Sequence, residues 1–409
     1  RSASPDPPGG ARNLRVLSVR ALLVGLRGDV LTVVLQPFVL QLGASVAFLG
    51  LLETIGGYRG IVPTVLQPAG GWAADRAGRK VVLVAASVAT AASLLLLAAA
   101  GQIGAVALLV PAVALLGLNG AGRPAADALV GESAGAGEIG RAYSLVTFGW
   151  ALAGVFASLG AGYLAERLGF PPVFAIAAAI EVAALVLLAW GVQETLAAPR
   201  RRPRPAPEEL RQVTVGIFAV PAGLRSFYLA VVLDAFFYGV GSALLYGFLA
   251  DRFGYTPFQF GIMTTAFSLL WAGTQLPIGR WVDQGRARQS LVAAEVLNAV
   301  VIASWLATSE FWVFVASLGA LGVVSALWTP ALLTWLFARV PTDRRAQEMG
   351  RLSAVTGLVA FPAPYLGGLL YDRLGFAAPI GLNLIGLLAA TAVFVVAVPE
   401  LPRPPRPER

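Results

Sequence analysis

The 409-residue sequence has no cysteine and no histidine, and Lys80 is its only lysine. Without cysteine and histidine the chain cannot form disulfides, use a thiol nucleophile or an imidazole base, or hold zinc or haem through their usual ligands. Lys80 is preceded by arginine and followed by valine, so the phosphate-binding pattern GxxxxGK followed by serine or threonine is missing. We therefore expect no cofactor and no hydrolysis of ATP by this chain.

Charged residues are also scarce, at 13% of the sequence, whereas 57% of the residues are hydrophobic. The mean hydropathy is +0.75. A soluble protein of this length would have far more apolar surface than its core could bury. The composition therefore predicts a membrane protein. The net charge of +8 indicates either nucleic-acid binding or the basic cytoplasmic face of such a protein.

Twelve apolar segments are long enough to cross a bilayer, since a spanning helix needs about 20 apolar residues. Their predicted bounds are 16–42, 46–70, 81–100, 103–129, 141–165, 171–193, 224–250, 256–280, 289–307, 311–338, 349–371 and 376–398. Several connections are very short, so neighbouring segments must be antiparallel. We predict an all-α polytopic membrane protein with twelve transmembrane helices.

The second half of the chain looks like a copy of the first. GGWAADRAGRK at 70–80 returns in weaker form as IGRWVDQGRAR at 278–288, with Gly71 and Asp75 matching Gly279 and Asp283 at an offset of 208. Two further markers have an offset of 206, namely GYLAERLGF and GLLYDRLGF, and Pro124 and Pro330. Duplication of a group of hydrophobic segments is typical of secondary transporters.

A charged, proline-rich stretch at 199–212 separates the two copies and is too polar to cross the membrane. We predict two pseudo-symmetric six-helix bundles, with the regions 1–13 (tail), 14–195 (bundle), 196–213 (linker), 214–398 (bundle) and 399–409 (tail).

Basic residues lie almost wholly on one side of the predicted topology. The loops on that side, the linker and both tails carry most of the basic residues, whereas Arg167, Arg252 and Arg373 on the other side are each adjacent to an acid. Short basic loops stay in the cytoplasm, so we expect both termini to be cytoplasmic in an inner (plasma) membrane. Topology thus accounts for the charge, and we expect no nucleic-acid partner. We also expect no secretory signal before the first segment, in a sequence that does not begin with methionine.

The stretch at 70–80 resembles the signature of the major facilitator superfamily of transporters, G-x-L-A-D-R-x-G-R followed by lysine or arginine. The matching residues are Gly71, Asp75, Arg76, Gly78, Arg79 and Lys80, while Ala73 stands where leucine is usual. The resemblance covers about 14–398. It implies a monomer of two six-helix bundles around a central cavity that opens alternately to each side, with helices one, four, seven and ten lining the cavity.

Two other patterns of the same family are not found. The GPxxGG pattern of antiporters has no counterpart in 148–163, which lacks proline, and the arginine common in the fourth helix is missing from 108–120. The resemblance therefore does not by itself indicate drug–proton antiport.

The signature residues can also be interpreted in physical terms, without the family resemblance. Gly71 would allow two helices to approach closely, and Asp75 could meet the positive N-terminus of a neighbouring helix. Arg76 and Arg79 could pair with acids across the cytoplasmic gap in one conformation only. The alternative is a basic cluster that only sets topology. Because the motif recurs at Gly279 and Asp283, we favour a gating role.

Charges inside the segments are candidates for coupling, since a charge at mid-bilayer costs at least about 2.5–3.5 kcal/mol. With no histidine, a proton carrier has to be a carboxylate, and we predict Asp234 and then Asp29. Asp234 has no basic residue within one turn of helix. Asp29 could instead form a structural ion pair with Arg27 or Arg59. The helix assignments of the resemblance place Arg27 in the cavity and place Glu181 and Glu295 outside it.

Substrate-cavity candidates are the polar and aromatic residues of the same segments: Arg27, Gln36, Arg59, Asn119, Arg123, Asp127, Phe237, Tyr238, Gln275 and Trp328. Arg59 could be an anion clamp or pair with an acid, and Arg123 and Asp127, four residues apart, have a local ion pair as the default. The aromatic residues more often pack between helices or lie at the lipid interface. If they face the cavity, it is broad, apolar and sparsely polar.

These observations predict a secondary transporter that moves a lipophilic or amphiphilic solute by alternating access, with proton-coupled export as the preferred direction. Expected partners are a small-molecule solute, protons or another coupling ion, and membrane lipid. The alternatives are an uptake symporter for an anionic metabolite and a lipid transporter or scramblase. A membrane-embedded enzyme is disfavoured because cysteine, histidine and clustered acids are missing.

Overall fold

The computed structural model describes residues 10–134, 139–196, 220–341 and 344–401, without the side chains of 139–145, 147–152 and 346–347. The described residues form helices and loops and no strand. The α-helices are α1 Gly10–Gln41, α2 Val46–Gly56, α3 Ile61–Ala77, α4 Arg79–Ile103, α5 Leu109–Gly117, α6 Asn119–Ser133, α7 Ile139–Leu168, α8 Phe170–Gly191, α9 Arg225–Gly241, α10 Leu245–Phe253, α11 Pro257–Asp283, α12 Ala287–Ala307, α13 Phe311–Phe337, α14 Arg345–Ala360, α15 Ala363–Leu374 and α16 Ala377–Val396.

The all-α membrane fold predicted from the sequence is confirmed. Within the described ranges, nine helical stretches are long and apolar enough to cross a membrane. The other three predicted segments, 46–70, 141–165 and 256–280, are also helical, in α2 with α3, in α7 and in α11. The helices are therefore compatible with twelve membrane crossings, and the protein is an integral membrane protein.

Four of the predicted segments are broken instead of continuous. The breaks separate α2 from α3, α5 from α6, α9 from α10, and α14 from α15. Before α3 the helix stops at the glycine pair 56–57, where the N–H of Gly57 caps the carbonyl of Glu53. Before α15 it stops ahead of Pro362, which has no N–H to donate. Mean apolarity over 20 residues does not detect such local interruptions.

The described chain divides into two compact units, and Leu249–Gly261 is grouped with the N-terminal one. In the N-terminal unit α1 packs against α7 and α8, α4 packs against α6 and α8, and α3 packs against α6. Small residues permit the closest approaches, because lipid gives no hydrophobic drive for helices to associate. A Cβ at Gly70 of α3 would lie 2.1 Å from the carbonyl oxygen of Ala121 in α6.

In the C-terminal unit α9 packs against α14, α15 and α16, and α12 packs against α13 and α16. Aromatic stacking holds one end of this unit. The rings of Phe227 and Trp335 are parallel, with centroids 4.2 Å apart. The indole N–H of Trp335 donates to the carbonyl of Pro399 at 3.0 Å, so the segment after α16 is attached to α13.

Candidate functional site

The signature loop joins α3 to α4 through one residue, Gly78. Its φ is +111°, a region that side chains other than glycine rarely adopt. A Cβ at this position would also lie 2.5 Å from Oε2 of Glu194. Glycine is therefore required at Gly78 both for the backbone conformation and for the approach of this carboxylate.

Glu194 caps the N-terminus of α4. Its Oε1 accepts from the backbone N–H of Arg79 at 3.1 Å, and its Oε2 accepts from that of Lys80 at 3.0 Å. The first N–H groups of a helix have no partner within the helix, and its dipole favours a negative charge there. We expected Asp75 to occupy such a position. The structure places Glu194 in it, a residue just beyond the sixth predicted segment that the sequence analysis did not select.

Asp75 instead forms an ion pair with Arg79, four residues further along the chain. The same guanidinium reaches Glu132 at the end of α6, where Nη2 is 3.2 Å from Oε1. The hydroxyl of Thr195 donates to the other oxygen of Glu132. We call Asp75, Arg79, Glu132, Glu194 and Thr195 the loop cluster, which joins the ends of α3, α6 and α8 to the start of α4.

The two ion pairs of Arg79 are partly exposed on their acidic side. The side chain of Asp75 is 66% exposed, whereas that of Arg79 is 13% exposed. Exposed ion pairs contribute about 0–1 kcal/mol each. The ion pairs of Arg79 can therefore break and re-form at little cost, which is what a contact made in only one conformation needs.

The other signature residues have more local contacts. The guanidinium of Arg76 lies over the ring of Trp72 at 4.0 Å. A Cβ at Gly71 would make an ordinary contact with Pro124, at 3.5 Å. The close approach that we expected at Gly71 is therefore made by its neighbour Gly70.

The second copy of the motif differs in its contacts. Asp283 is the last residue of α11 and, within the described parts of the chain, forms no ion pair. A Cβ at Gly279 would meet nothing within 4 Å. Arg288, in the first turns of α12, pairs with Glu400 at 3.0 Å. Glu194 and Glu400 are 206 positions apart, the offset of two of the repeat markers. In each copy, an acid that follows the sixth predicted segment binds the start of the third one. This acid is Glu194 in the N-terminal copy and Glu400 in the C-terminal copy.

Three buried charges meet inside the N-terminal unit. Nε of Arg27 is 3.0 Å from Oε2 of Glu181, and their side chains are 7% and 2% exposed. Arg20 donates to the hydroxyl of Ser87 at 3.0 Å and lies within electrostatic range of Glu181. The sequence analysis placed Arg27 in a cavity and Glu181 outside it. The structure pairs the two residues, because a charge in this setting needs an opposite charge beside it.

Asp29 is half-buried on α1, and no ion pair or hydrogen bond is formed by its side chain within the described residues. The step of two residues from Arg27 to Asp29 corresponds to a turn of about 200° around the helix axis, so the side chains point to different sides of α1. In the structure Arg27 therefore does not neutralise Asp29, which was one of the two predicted alternatives. Gln36, two turns from Asp29 on the same face, forms a hydrogen bond with Glu53 of α2.

The remaining polar candidates of this unit lie around the helix breaks. The guanidinium of Arg123 lies over the ring of Tyr58 at 4.6 Å, and Asp127 is within its electrostatic range. Arg59 follows Tyr58 in the break between α2 and α3, and Asn119 begins α6 after the second break. Arg59 and Asn119 therefore lie at the two interruptions of the N-terminal unit, whereas Arg123 and Asp127 lie within α6, from which Arg123 reaches Tyr58 at the first interruption.

In the C-terminal unit Asp234 is half-buried on α9 and acts electrostatically on Glu295 of α12. Glu295 is 1% exposed, and neither of its carboxylate oxygens has a hydrogen-bond partner among the described residues. The helix assignments of the family resemblance predicted that Glu295 lies outside the cavity, without a role.

The remaining candidates of this unit divide into two groups. Phe237 packs its ring on Gly386 of α16, where a Cβ would lie 1.8 Å from a ring carbon. Trp328 packs edge-on against Phe394, with centroids 5.7 Å apart. Both rings therefore fill space between helices. Tyr238 and Gln275 are exposed.

Comparison with known proteins identifies related chains. Residues 17–237 and 226–409 match the family described as the Major Facilitator Superfamily. The multidrug resistance protein MdtG of Citrobacter koseri is 30% identical over 198 residues, which are 47% of each chain. The multidrug resistance protein B homolog of Mycobacterium tuberculosis is 26% identical over 384 residues, which are 93% of this chain and 62% of that one. The chain therefore covers about half of the length of MdtG and less than two thirds of the length of the Mycobacterium tuberculosis protein.

Solved structures share the fold at low sequence identity. The D-xylose–proton symporter superposes with a TM-score of 0.72 at 15% identity, over 95% of this chain and 98% of that one. The nucleoside transporter NupG gives a TM-score of 0.74 at 13% identity, over 94% and 98%. The human organic anion transporter MFSD10 gives 0.66 at 17% identity, over 95% and 100%.

Proposed function

Because the chain belongs to the major facilitator superfamily of transporters, we propose that it exports a lipophilic, cationic or amphiphilic solute in exchange for protons. The observation that carries this proposal is Asp29. It is a half-buried carboxylate on a membrane helix, and the arginine two positions earlier is already held by Glu181.

An uncompensated carboxylate of this kind has two ways to avoid the cost of charge in a membrane, which is at least about 2.5–3.5 kcal/mol. It can bind a proton, or it can pair with a cationic solute. If the two bind in turn at Asp29, outward movement of the cation is coupled to inward movement of the proton. We propose that Asp234, a half-buried carboxylate on α9, takes part in the same exchange of proton and solute in the C-terminal unit.

The solute class rests on what surrounds these carboxylates. On α9, Asp234 is the only charged residue after the first turn, and amide side chains are few among the candidates, so little is available to bind the hydroxyl groups of a sugar. An apolar site with one carboxylate suits a lipophilic cation. The relatives named multidrug resistance proteins support the same class.

The loop cluster supplies the conformational part of the proposal. We assign it to the cytoplasmic side of an inner membrane, with both termini in the cytoplasm, because the basic loops lie on that side. Its contacts hold one state of a monomeric transporter and break in the other. Alternating access then follows from family membership together with this reversible set of contacts.

The test is transport in liposomes loaded with a pH-sensitive dye, with tetraphenylphosphonium as the lipophilic cation. An imposed pH gradient should drive uphill movement of the cation through the wild-type protein. Asp29→Asn and Asp234→Asn should each abolish uphill movement, while Asp234→Asn retains exchange of labelled for unlabelled cation. The matched control is Glu310→Gln, which changes an exposed acid in a loop.

The proposal fails if both variants retain full pH-driven accumulation. If Asp29→Asn lowers only the amount of folded protein or its thermal stability, Asp29 is structural and Asp234 alone carries the coupling.

A second function, uptake of an anionic metabolite, is favoured by one feature. The guanidinium groups of Arg59 and Arg123 both act electrostatically on the ring of Tyr58, at the break between α2 and α3. Two cations near one interruption could bind a carboxylate or phosphate. Proton-driven accumulation of an organic anion in the same liposomes, lost in Arg59→Gln, would support this function against export.

A further inference from the structure

Arg20 and Arg27 lie on one face of α1, because seven positions correspond to about two turns of the helix. Both residues are buried, with 9% and 5% of their surfaces exposed. An arginine keeps its charge even when it is buried, since its guanidinium is not deprotonated in proteins. The interior of the N-terminal unit therefore holds two permanent positive charges.

One carboxylate lies beside these two arginines. Nε of Arg27 is 3.0 Å from Oε2 of Glu181, and the side chain of this acid is 2% exposed. Arg20 is within electrostatic range of the same acid and of Arg27. However Glu181 is shared, two positive charges face one negative charge. One positive charge of this buried group is therefore not compensated by Glu181.

The neighbouring helices α4, α7 and α8 bring no second acid to the two arginines. α7 and α8 pack against α1, and α4 packs against α8. Glu181 is the only acid in the sequence of α8, and α4 contains none. α7 has one acid, Glu166 in its last turn, which accepts from the backbone N–H of Phe258 at 3.1 Å.

The acids of α1, α2 and α6 are directed to other places. The nine positions from Arg20 to Asp29 correspond to about two and a half turns, so Asp29 lies on the opposite side of α1. The other three acids each interact with a different group: Glu53 with Gln36, Asp127 with Arg123, and Glu132 with Arg79. The charge of Arg20 is therefore not balanced by an acid of the described chain.

Two hydrogen-bond donors at Arg20 also lack an acceptor. Nη2 of Arg20 donates to Oγ of Ser87 in α4 at 3.0 Å, and Ser87 is 1% exposed. Nε of Arg20 has no hydrogen-bond partner among the described residues. A hydroxyl can accept and donate at the same time, so the O–H of Ser87 is a second donor beside the guanidinium. Two donors and one uncompensated positive charge are thus buried together.

We infer that a chloride ion binds between α1 and α4, held by Arg20 and Ser87. The Nε–H of Arg20 and the O–H of Ser87 donate to the ion, and its negative charge balances the second arginine. A water molecule would satisfy both donors but would leave the charge uncompensated, which is costly in an apolar interior. This site depends neither on the direction of transport nor on the solute proposed above.

The phosphate of an anionic lipid offers the same chemistry, a negative charge with acceptor atoms. A lipid head group has to reach the site from the membrane surface, whereas Arg20 and Ser87 are 9% and 1% exposed. A single small ion can be enclosed at such a place. The burial therefore favours chloride, and a lipid phosphate is an outcome that the experiment must be able to detect.

The first experiment measures the line broadening of chloride in nuclear magnetic resonance. The sample is the purified full-length protein in a detergent without phospholipid, and bromide serves as the competing ion. We expect saturable broadening that bromide reverses. Arg20→Met should abolish it, because this variant lacks both the charge and the Nε–H. Arg15→Met is the matched control, since Arg15 is an exposed arginine of the same helix, and it should broaden the line like the wild type.

The second experiment compares Tm in sodium chloride and in sodium gluconate at equal ionic strength. Binding to the folded state should raise the Tm of the wild type as the chloride concentration increases. Arg20→Met should have the same Tm in both salts. In gluconate it should melt above the wild type, because the uncompensated charge has been removed. An arginine with a purely structural role would give the opposite result, a lower Tm of Arg20→Met in both salts.

Ser87→Ala keeps every charge in place and tests the site if Arg20→Met does not fold. The loss of one hydrogen bond to the ion should weaken chloride binding by about tenfold. Arg59→Gln changes an arginine at the break between α2 and α3 and should leave chloride binding unchanged.

Each result decides between the possibilities. Equal wild-type Tm values in the two salts overturn the inference, and so does a wild-type chloride response in Arg20→Met or in Ser87→Ala. A response that is lost in Arg59→Gln would place the ion at the break between α2 and α3 and would also overturn it. If added phosphatidylglycerol raises the Tm through Arg20 and chloride does not, the occupant is a lipid phosphate and chloride is refuted.

Discussion

The carboxylate of Glu194 accepts a hydrogen bond from the backbone N–H of Arg79 at 3.1 Å, although 115 positions separate the two residues. This contact joins the residue that follows the last helix of the N-terminal unit to the first residue of α4. It depends on Gly78, because any side chain there would displace the carboxylate. The glycine of the signature and an acid far from it in sequence therefore form one structure.

Loss of this helix cap should lower stability. Glu194→Ala removes the acceptor for the N–H groups of Arg79 and Lys80, and N-cap substitutions cost about 0.5–2 kcal/mol. We expect a lower Tm in detergent. The matched control is Glu310→Ala, since Glu310 is an exposed acid directly before α13 and its side chain does not cap that helix. Equal Tm values for the two variants would show that the cap does not stabilise the protein.

Gly78→Ala and Gly279→Ala should behave differently. Alanine at Gly78 has to adopt a φ of +111° and meets Glu194, and strained backbone of this kind costs about 1–3 kcal/mol. Alanine at Gly279 meets nothing within 4 Å. Thermal denaturation should therefore show a lower Tm for Gly78→Ala and an unchanged Tm for Gly279→Ala. If both variants have the Tm of the wild type, the backbone conformation at Gly78 does not require glycine.

Asp75→Asn should reduce turnover far more than it reduces binding. The substitution removes the ion pair with Arg79 while the pair of Arg79 with Glu132 remains, so we expect a stability change below about 1 kcal/mol. Transport rate and equilibrium binding of tetraphenylphosphonium, measured on the same preparation, separate the two effects. Asp283→Asn is the comparison, because Asp283 has no ion pair in the described chain. If Asp75→Asn transports at the wild-type rate, Asp75 has no gating role.

Arg27→Met should be strongly destabilising, because it leaves Glu181 buried without its partner. Breaking a buried ion pair from one side costs about 3–5 kcal/mol. The double variant Arg27→Met with Glu181→Met should recover most of that loss, since replacing a whole buried pair by apolar residues is often neutral. Chemical or thermal unfolding of both variants tests this. A double variant as unstable as the single one would show that Arg20 or another group depends on Glu181 as well.

The sequence predicts where the transmembrane helices lie, but not where they are interrupted or which charged side chains pair. Hydropathy located the segments because apolarity over 20 residues is a property of the chain itself. The stop at Gly57 depends on local capping, and the pairing of Arg27 with Glu181 depends on how α1 faces α8. The expected cavity position of Arg27 came from the resemblance, which assigns whole helices and not the side of a helix on which a residue lies.

Two further residues could have been found from the repeat. Glu194 and Glu400 have the same offset of 206 as the other markers, but both follow the apolar segments and were read as part of the polar connections. Glu295 was visible as a charge in a segment. Only the packing of α12 against α13 and α16 shows that it is fully buried.

The break between α5 and α6 has a consequence for biosynthesis. α5 has nine residues and reaches only about 13 Å at 1.5 Å per residue, so it cannot span a bilayer core of about 30 Å by itself. α6 completes the crossing but carries Arg123 and Asp127, which lipid does not tolerate alone. A Cβ at Gly120 would lie 2.6 Å from Cα of Pro63, so α6 is fitted closely to α3. The fourth segment therefore packs on the second, and the order of synthesis makes that partner available first.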